Sequence, residues 1–340
     1  MKKILITGGA GFIAHHIIAH IIKNTDWEIV TLDRLDLSGN LNRLHEILDE
    51  FSIKDKKRLK IVFHDLKAEI NSQIKSELGS PDMILHLAAA SHVDRSIIYP
   101  MEFVLDNVVG TVNLLDFARS LKNLEKFVYF STDEIFGNAP EGVSYKEYDR
   151  YNSTNPYSAS KASAEEFCVA YENTYKLPII ITHTMNVFGE RQHPEKFIPM
   201  TIQRVRDSEK VLIHANKEKT KAGSRHYIHA QDVADGLMFI IGLKNYKHEG
   251  DFGNAKCPKF NLVGPEEINN LDLAQKIAEV QKRELIYELI DNHSSRPGHD
   301  LRYSLSPNLL KSLGWEPKIK LSKRIEEVVD WSLKNKRWLS

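Results

Sequence analysis

The sequence predicts an α/β protein: a doubly wound, mainly parallel sheet followed by a smaller C-terminal α/β lobe. Three observations lead there. Short apolar runs alternate with longer helical patterns through the first half of the chain, and repeated strand–helix–strand units build such sheets. The runs are continuously apolar rather than alternating, as strands buried on both faces are. The chain has 340 residues, more than one compact core usually needs.

The predicted strands are "KILIT" (3–7), "EIVTLD" (28–33), "LKIVFH" (59–64), "MILHLA" (83–88), "KFVYFS" (126–131) and "IIITHT" (179–184). Between them, "FIAHHIIAHIIK" (12–23), "VLDNVVGTVNLLDFARSL" (104–121) and "YSASKASAEEFCVAYENTY" (157–175) carry helical patterns. After about residue 185 prolines and glycines punctuate the chain and the elements shorten. Residues 1–185 are therefore expected to form the sheet domain. Residues 186–340 are expected to form the smaller lobe, with some crossing of the chain between the two.

Composition excludes several partners. Lys plus Arg and Asp plus Glu each number 46, so no charge surplus asks for nucleic acid or an anionic membrane. The basic run "KDKKRLK" (54–60) reads as a solvated loop. The cysteines, Cys168 and Cys257, are two and far apart. They offer neither metal-ligand spacing nor a disulfide framework and fit a reducing compartment. The start "MKKILITGG" carries too short an apolar run for a signal peptide or a membrane span. A soluble, cytoplasmic protein without a metal is expected.

"TGGAGFIAHH" follows the first strand and opens a helix. Gly8 and Gly11 suit a turn of positive φ that lets a pyrophosphate approach the backbone. The helix N-terminus then offers N–H donors and a positive dipole end. This is where the first turn of a Rossmann-like dinucleotide fold lies. Ala14 takes the third small position, where glycine is usual. Asp33 closes the second strand, where a carboxylate receives ribose hydroxyls and disfavours a 2′-phosphate, so NAD is expected over NADP. Arg34 beside it pulls the other way, because an arginine can serve a 2′-phosphate. Asp65 ends the third strand, within reach of an adenine. "LAAAS" (87–91) ends the fourth with small residues against which a cofactor can lie.

"YSASK" places Tyr157 and Lys161 on one helix face, one turn apart. A phenol is a poor base at neutral pH, and a nearby ammonium would favour the phenolate. "STDE" (131–134) ends the fifth strand on a hydroxyl and two adjacent carboxylates. Two such carboxylates in different environments can divide the work of an acid and a base.

"TGGAGFI", "STDE" and "YSASK", with "SHVDRSI" (91–97), "PEKFIP" (194–199) and "RPGHDLRY" (296–303), resemble the extended short-chain dehydrogenase/reductase family. More narrowly they resemble its nucleotide-sugar 4,6-dehydratases of the dTDP-glucose type. The resemblance implies a cofactor set of Gly8, Gly11, Phe12, Ile13, Asp33, Asp65, Leu66, Leu87, Ala88, Ala89, Asn107, Tyr157 and Lys161. It implies that Glu134 is the base at C5 of a hexose and Asp133 the acid at its C6 hydroxyl. Thr132 and Tyr157 would serve the C4 oxygen. Ser91, Thr132, Asn186, Lys196, Arg225, Asn261, Arg296 and His299 would bind the nucleotide-sugar substrate. Helices at 104–120 and 157–175 would form a homodimer interface.

The chain departs from that family in three places. Ala90 stands where glutamate is usual, His214 where tyrosine is usual, and the segment 215–224 is longer. That segment is expected to be a mobile loop closing over the nucleotide. With dTDP as the default base, UDP, CDP and GDP stay open. A UDP-sugar epimerase or decarboxylase on the same fold, and an NAD-sensing protein without turnover, are the competing readings.

Overall fold

The computed structural model describes residues 1–36, 38–244, 246, 248, 249, 255–291 and 300–340. The main sheet has seven strands: β1 (Lys3–Thr7), β2 (Glu28–Asp33), β3 (Leu59–Phe63), β4 (Met83–His86), β5 (Lys126–Thr132), β6 (Ile179–Thr184) and β12 (Lys259–Leu262). Their order is β12-β6-β5-β4-β1-β2-β3. Pairing is parallel from β3 through β2, β1 and β4 to β5. Thr7 is in register with Leu32 on one side and His86 on the other. The chain order therefore reverses at β1, and the crevice beyond the strand ends there is where such sheets bind ligands.

Burial follows position in the sheet. Ile4, Leu5, Ile6, Ile84, Leu85 and Phe127 in the central strands are fully buried. The expectation of two-sided burial fails for β3, where Val62 is buried and Phe63 is 57% exposed. This strand is the sheet edge, with β2 on one side only. The expected helix at 104–121 is present with a local change of pitch. Val104–Val109 forms a π turn that runs into the α-helix Gly110–Arg119.

The chain divides into two compact units. One contains residues 1–135, 155–183 and 237–260; the other contains 136–154, 184–236 and 261–340. Beside the main division near residue 184, the chain crosses between the units at residues 136–154 and 237–260. Residues 237–260 join the sheet unit because Lys259 and Phe260 lie in its edge strand. The end of the helix Ala230–Gly242 is also fixed there, where the Lys126 ammonium donates to the carbonyls of Ile241 and Leu243.

The second unit holds β7 (Asn186–Phe188), β8 (Val211–Ala215), β9 (Ser224–His229), β13 (Glu267–Asn269) and β14 (Tyr287–Asp291). A two-residue ribbon, β10 (His248–Glu249) with β11 (Ala255–Lys256), precedes β12 in the chain. In the second unit β13, β9 and β7 form one small sheet, and β14 pairs with β8 in another. The helices Phe197–Arg206, Asn270–Val280 and Leu321–Lys334 close a core of Phe188, Ile202, Tyr227, Ile277 and Val328.

Candidate active site

The strand β5 runs out of the core and turns at once into a 3-10 turn, Asp133–Phe136. Ser131, Thr132 and Asp133 are buried there, and Glu134 is half-buried. The Thr132 hydroxyl donates to Asp133 Oδ1 at 3.2 Å and accepts from the Glu134 amide at 3.4 Å. Asn155 Nδ2 donates to Glu134 Oε2 at 3.4 Å. The two adjacent carboxylates thus differ in burial and in partners.

The helix Pro156–Tyr175 brings the tyrosine to this strand end. Asn155 and Ser158 close a capping box, and proline takes the first helical position; together these specify where the helix begins. Tyr157 then falls in the first turn, with its amide donating to Ser96 Oγ at 3.1 Å. Its ring meets Phe103 edge-on at 6.3 Å between centroids. Thr132 hydrogen-bonds the phenol. Ser131 Oγ, buried at the same strand end, has no hydrogen-bond partner among the described residues.

The electrostatics differ from the sequence expectation. Tyr157 is pushed well above its ordinary range, first by burial and then by the Glu134 carboxylate, with Thr132 opposing and Asp133 adding to the rise. Lys161 is not among those causes. Its ammonium is buried, donates to the Phe130 carbonyl at 2.6 Å and lies 4.3 Å from the Tyr129 ring centroid. Burial lowers its pKa to about 8, against the opposing pull of Cys168 and Glu165. One helical turn of spacing places the two residues on one face. It does not place the ammonium on the phenol, because a carbonyl and an aromatic face below the helix compete for it.

A cavity opens at the glycine turn. Gly8, Gly11, Asp33, Asp65, Leu66, Leu87, Ala88 and Ala89 all line it, as the sequence predicts. Gly8 has φ +70°, and a Cβ there would stand 2.9 Å from the Ala88 Cα. A Cβ on Gly11 would stand 2.8 Å from the Gly8 carbonyl oxygen. Phe12 and Ile13 begin the helix Phe12–Asn24, whose N-terminus has no side-chain cap. Its first N–H groups are left for an anion. Asp33 accepts from the Ala10 and Leu35 amides at 2.9 and 2.8 Å, which leaves acceptor capacity for hydroxyls. The cradle of small residues, the uncapped helix and the strand-end carboxylate fit a dinucleotide.

Some predicted residues hold the walls rather than line the cavity. Asn107, buried in the π turn, exchanges hydrogen bonds with the Ala90 backbone at 2.8 and 3.0 Å and donates to Ser160 Oγ at 2.8 Å. It ties the end of β4 to the tyrosine helix. Sequence reading missed the companion network: His86 bridges Thr7 and Thr111 at 2.8 and 2.9 Å, and Thr7 Oγ1 accepts from the Ala88 amide at 3.1 Å. No motif marks a histidine inside a strand as such a bridge.

Ser91 is exposed just beyond the Leu87–Ala90 wall. In the second unit, Asn186 is exposed at the start of β7, and Lys196 is the N-cap of the helix Phe197–Arg206. The Arg225 guanidinium donates to the carbonyls of Ser224, Leu301 and Asp300 at 2.7, 2.6 and 2.7 Å and stacks 4.5 Å from the Tyr303 ring. Asn261 is buried, with its amide donating to Tyr145 and Ser306 carbonyls at 3.1 and 3.3 Å. Arg296 and His299 lie outside the described residues. The segment after β8 is a turn built on Asn216, whose Oδ1 accepts from the Thr220 and Lys221 amides at 2.8 and 2.9 Å. Among the described residues no cluster of metal-ligating side chains occurs, and no helix is long and apolar enough to cross a membrane.

A doubly wound sheet with a glycine cradle at its switch point, and a Thr–Tyr–Lys set at the end of the fifth strand, defines an extended short-chain dehydrogenase/reductase. A family model described as GDP-mannose 4,6 dehydratase matches residues 5–328, and the chain belongs to that family. It is 34% identical to the dTDP-glucose 4,6-dehydratase of Salmonella typhimurium over 363 residues, covering 99% of this chain and 94% of that one. The structure of a dTDP-glucose 4,6-dehydratase from Streptomyces venezuelae, with NAD and dTDP bound, matches with a TM-score of 0.83 at 29% identity. That match covers 99% of this chain and 98% of the other. A UDP-glucose 4-epimerase from Thermus thermophilus, solved with NAD, matches with a TM-score of 0.82 at 26% identity, covering 97% and 98%.

Proposed function

We propose that the chain is an NAD-dependent dTDP-glucose 4,6-dehydratase that forms the dTDP-4-keto-6-deoxy sugar. The observation that carries this reading is the adjacent pair Asp133 and Glu134, one buried and one half-buried, beside Thr132 and Tyr157. The backbone does not separate dehydration from epimerisation, since the TM-scores of 0.83 and 0.82 are equal in practice. The side chains do. Epimerisation at C4 needs a proton shuttle at one oxygen, whereas loss of water across C5 and C6 needs a base and an acid besides.

Gly8, Gly11, Asp33 and Asp65 would hold NAD in the cavity at the glycine turn, and the cofactor would supply reversible hydride-acceptor chemistry there. Tyr157, as the phenolate that the positive nicotinamide of a bound NAD would favour against burial, takes the C4 hydroxyl proton, with Thr132 orienting that oxygen. The C4 ketone makes the C5 proton acidic, and Glu134 removes it. Asp133 delivers a proton to the C6 hydroxyl, which leaves as water. Asp133 is the better buried of the pair. Lys161 supplies positive charge to the buried strand end.

The substrate contacts we assign to the second unit are Asn186 and Lys196, with Arg225 and Asn261 shaping the wall through their carbonyl bonds. A homodimer is part of the reading. Ile98, Tyr99 and Met101 are 65%, 56% and 64% exposed, and Phe167 and Tyr175 on the tyrosine helix are 42% and 44% exposed. Apolar faces of this kind mark association sites.

The test is incubation with dTDP-, UDP-, CDP- and GDP-glucose while following the 4-keto-6-deoxy product by mass loss of water. Turnover of dTDP-glucose alone is expected. A C4 epimer without water loss would replace the reading by the epimerase one.

A further inference from the structure

Arg34 is the residue that argued for NADP in the sequence, because it follows Asp33 at the end of β2. Its surroundings reverse that argument. The guanidinium donates to both oxygens of Asp106 at 2.5 and 2.8 Å. It donates to Asp36 Oδ2 at 3.0 and 2.7 Å from two nitrogens, and it lies 3.5 Å from Asp65 Oδ2. Asp106 is nearly buried, with its side chain 9% exposed. Lys67 sits on the far side of the same carboxylates, 3.5 Å from Asp65 and 3.6 Å from Asp106. Asp33, Asp36, Asp65 and Asp106 line the cavity, and Arg34 is the one guanidinium doing so among the described residues.

We propose that Asp106, with Asp36, is a cofactor-specificity determinant: it holds the Arg34 fork away from a 2′-phosphate, so that the cavity takes NAD and refuses NADP. The inference rests on the NAD-dependent reading above. The reasoning is geometric. A guanidinium recognises a phosphate through a bidentate fork, and the Asp106 carboxylate already occupies one fork while Asp36 occupies another. A 2′-phosphate would have to displace a nearly buried carboxylate and approach three others. Asp106 comes from the π turn Val104–Val109. In that turn one residue reaches the Arg34 fork while the next, Asn107, pins the Ala90 backbone. Burial, outweighed by the Lys67 amide, Arg34 and the Lys67 ammonium, leaves Asp65 below its ordinary range. Burial, outweighed by Arg34 and the Ser38 amide, leaves Asp36 shifted the same way.

The experiment is direct binding of NAD and of NADP to the purified protein, by titration calorimetry, for wild type, Asp106→Asn, Asp36→Asn and Asp106→Asn/Arg34→Ala. The ratio of the two affinities is read, not turnover. Wild type is expected to favour NAD by at least about a hundredfold. Asp106→Asn should shrink that ratio by about tenfold, the effect of one hydrogen bond to a charged group. Asp36→Asn should shrink it less, because its carboxylate is 41% exposed. The double variant should lose the gain, since Arg34 is the group released. An unchanged ratio in both single variants, each with a native thermal transition, overturns the inference and leaves the cluster as a structural clasp. If Asp106→Asn does not fold, Asp36→Asn decides alone, and an unchanged ratio there overturns it. Wild type that binds NAD tightly while Asp36→Asn and Asp106→Asn change nothing defeats this inference only. Wild type that binds neither cofactor defeats the NAD-dependent reading itself.

Discussion

Two carboxylate regions of the sheet unit, Glu165 and the pair Asp133 and Glu134, differ in what holds them. Glu165, in the middle of the helix Pro156–Tyr175, is fully buried. His183 Nε2 lies 3.2 Å from both its oxygens, and Lys259 Nζ lies 2.8 Å from one. Burial alone would raise its pKa, but His183 and Lys259 outweigh burial and hold it far below the carboxylate range. At the end of β5, the Thr132 hydroxyl donates to Asp133 at 3.2 Å and the Asn155 amide donates to Glu134 at 3.4 Å. A buried carboxylate held against the Lys259 ammonium and the His183 ring is part of a core ion pair, whose breaking leaves a buried charge uncompensated. The comparison sets a buried, ion-paired carboxylate beside the pair proposed above as acid and base.

The sharpest way to break this comparison is at the strand end. Glu134→Gln is expected to lower turnover by about 10²- to 10⁴-fold, the usual contribution of a general base, and to abolish exchange of the C5 proton with deuterated solvent. Asp133→Asn should keep that exchange and slow water loss, and Tyr157→Phe should lose both. All three should unfold at the wild-type denaturant midpoint. A large stability loss in Glu134→Gln would make the pair a loop cap.

Glu165→Gln should behave in the opposite way. Removing one partner of a buried pair costs about 3–5 kcal/mol, because Lys259 is left uncompensated in the core. Chemical denaturation should show the loss, with turnover per folded molecule changed less than about tenfold. The same residue sets an acid limit. Its folded-state pKa lies below the ordinary 4.5, so its stabilisation is fully present above pH 4.5 and is lost as pH falls further. The acid unfolding midpoint of Glu165→Gln should show a smaller dependence on pH in that range. An equal dependence would place the acid-sensitive group elsewhere.

A smaller effect concerns Lys161, whose pKa is lowered to about 8 by burial. If its charge supports the Tyr157 phenolate, turnover should fall on the alkaline side with a limb near pH 8. Glu165 raises the Lys161 pKa, so the limb should move to lower pH in Glu165→Gln. A profile flat to pH 10 in wild type would show that the lysine acts only through its bond to the Phe130 carbonyl.

The smallest effect is on assembly. Ile98→Asp, at a 65% exposed position, should leave the fold intact and halve the mass measured by light scattering at micromolar concentration. A wild-type monomer would contradict the homodimer.

Local rules account for what the sequence by itself determined. Strand runs, the positive φ of Gly8, the uncapped helix after Gly11, the capping of Tyr157 and the hydroxyl–carboxylate strand end all depend on neighbours in the chain. Their positions were readable from periodicity and residue type. The tertiary structure decided where the long polar side chains go. Arg34 meets Asp106 from 72 residues away. Arg225 takes carbonyls from 75 and 76 residues away. Asn261 takes one from 116 residues away, and Lys161 turns to Phe130 and Tyr129 instead of Tyr157. The exchange of residues 136–154 and 237–260 between the units is of the same kind. Backbone conformation is set within a few residues. A guanidinium, amide or ammonium bonds whichever carbonyl or carboxylate the folded chain brings within about 3 Å, and no local pattern encodes that neighbour.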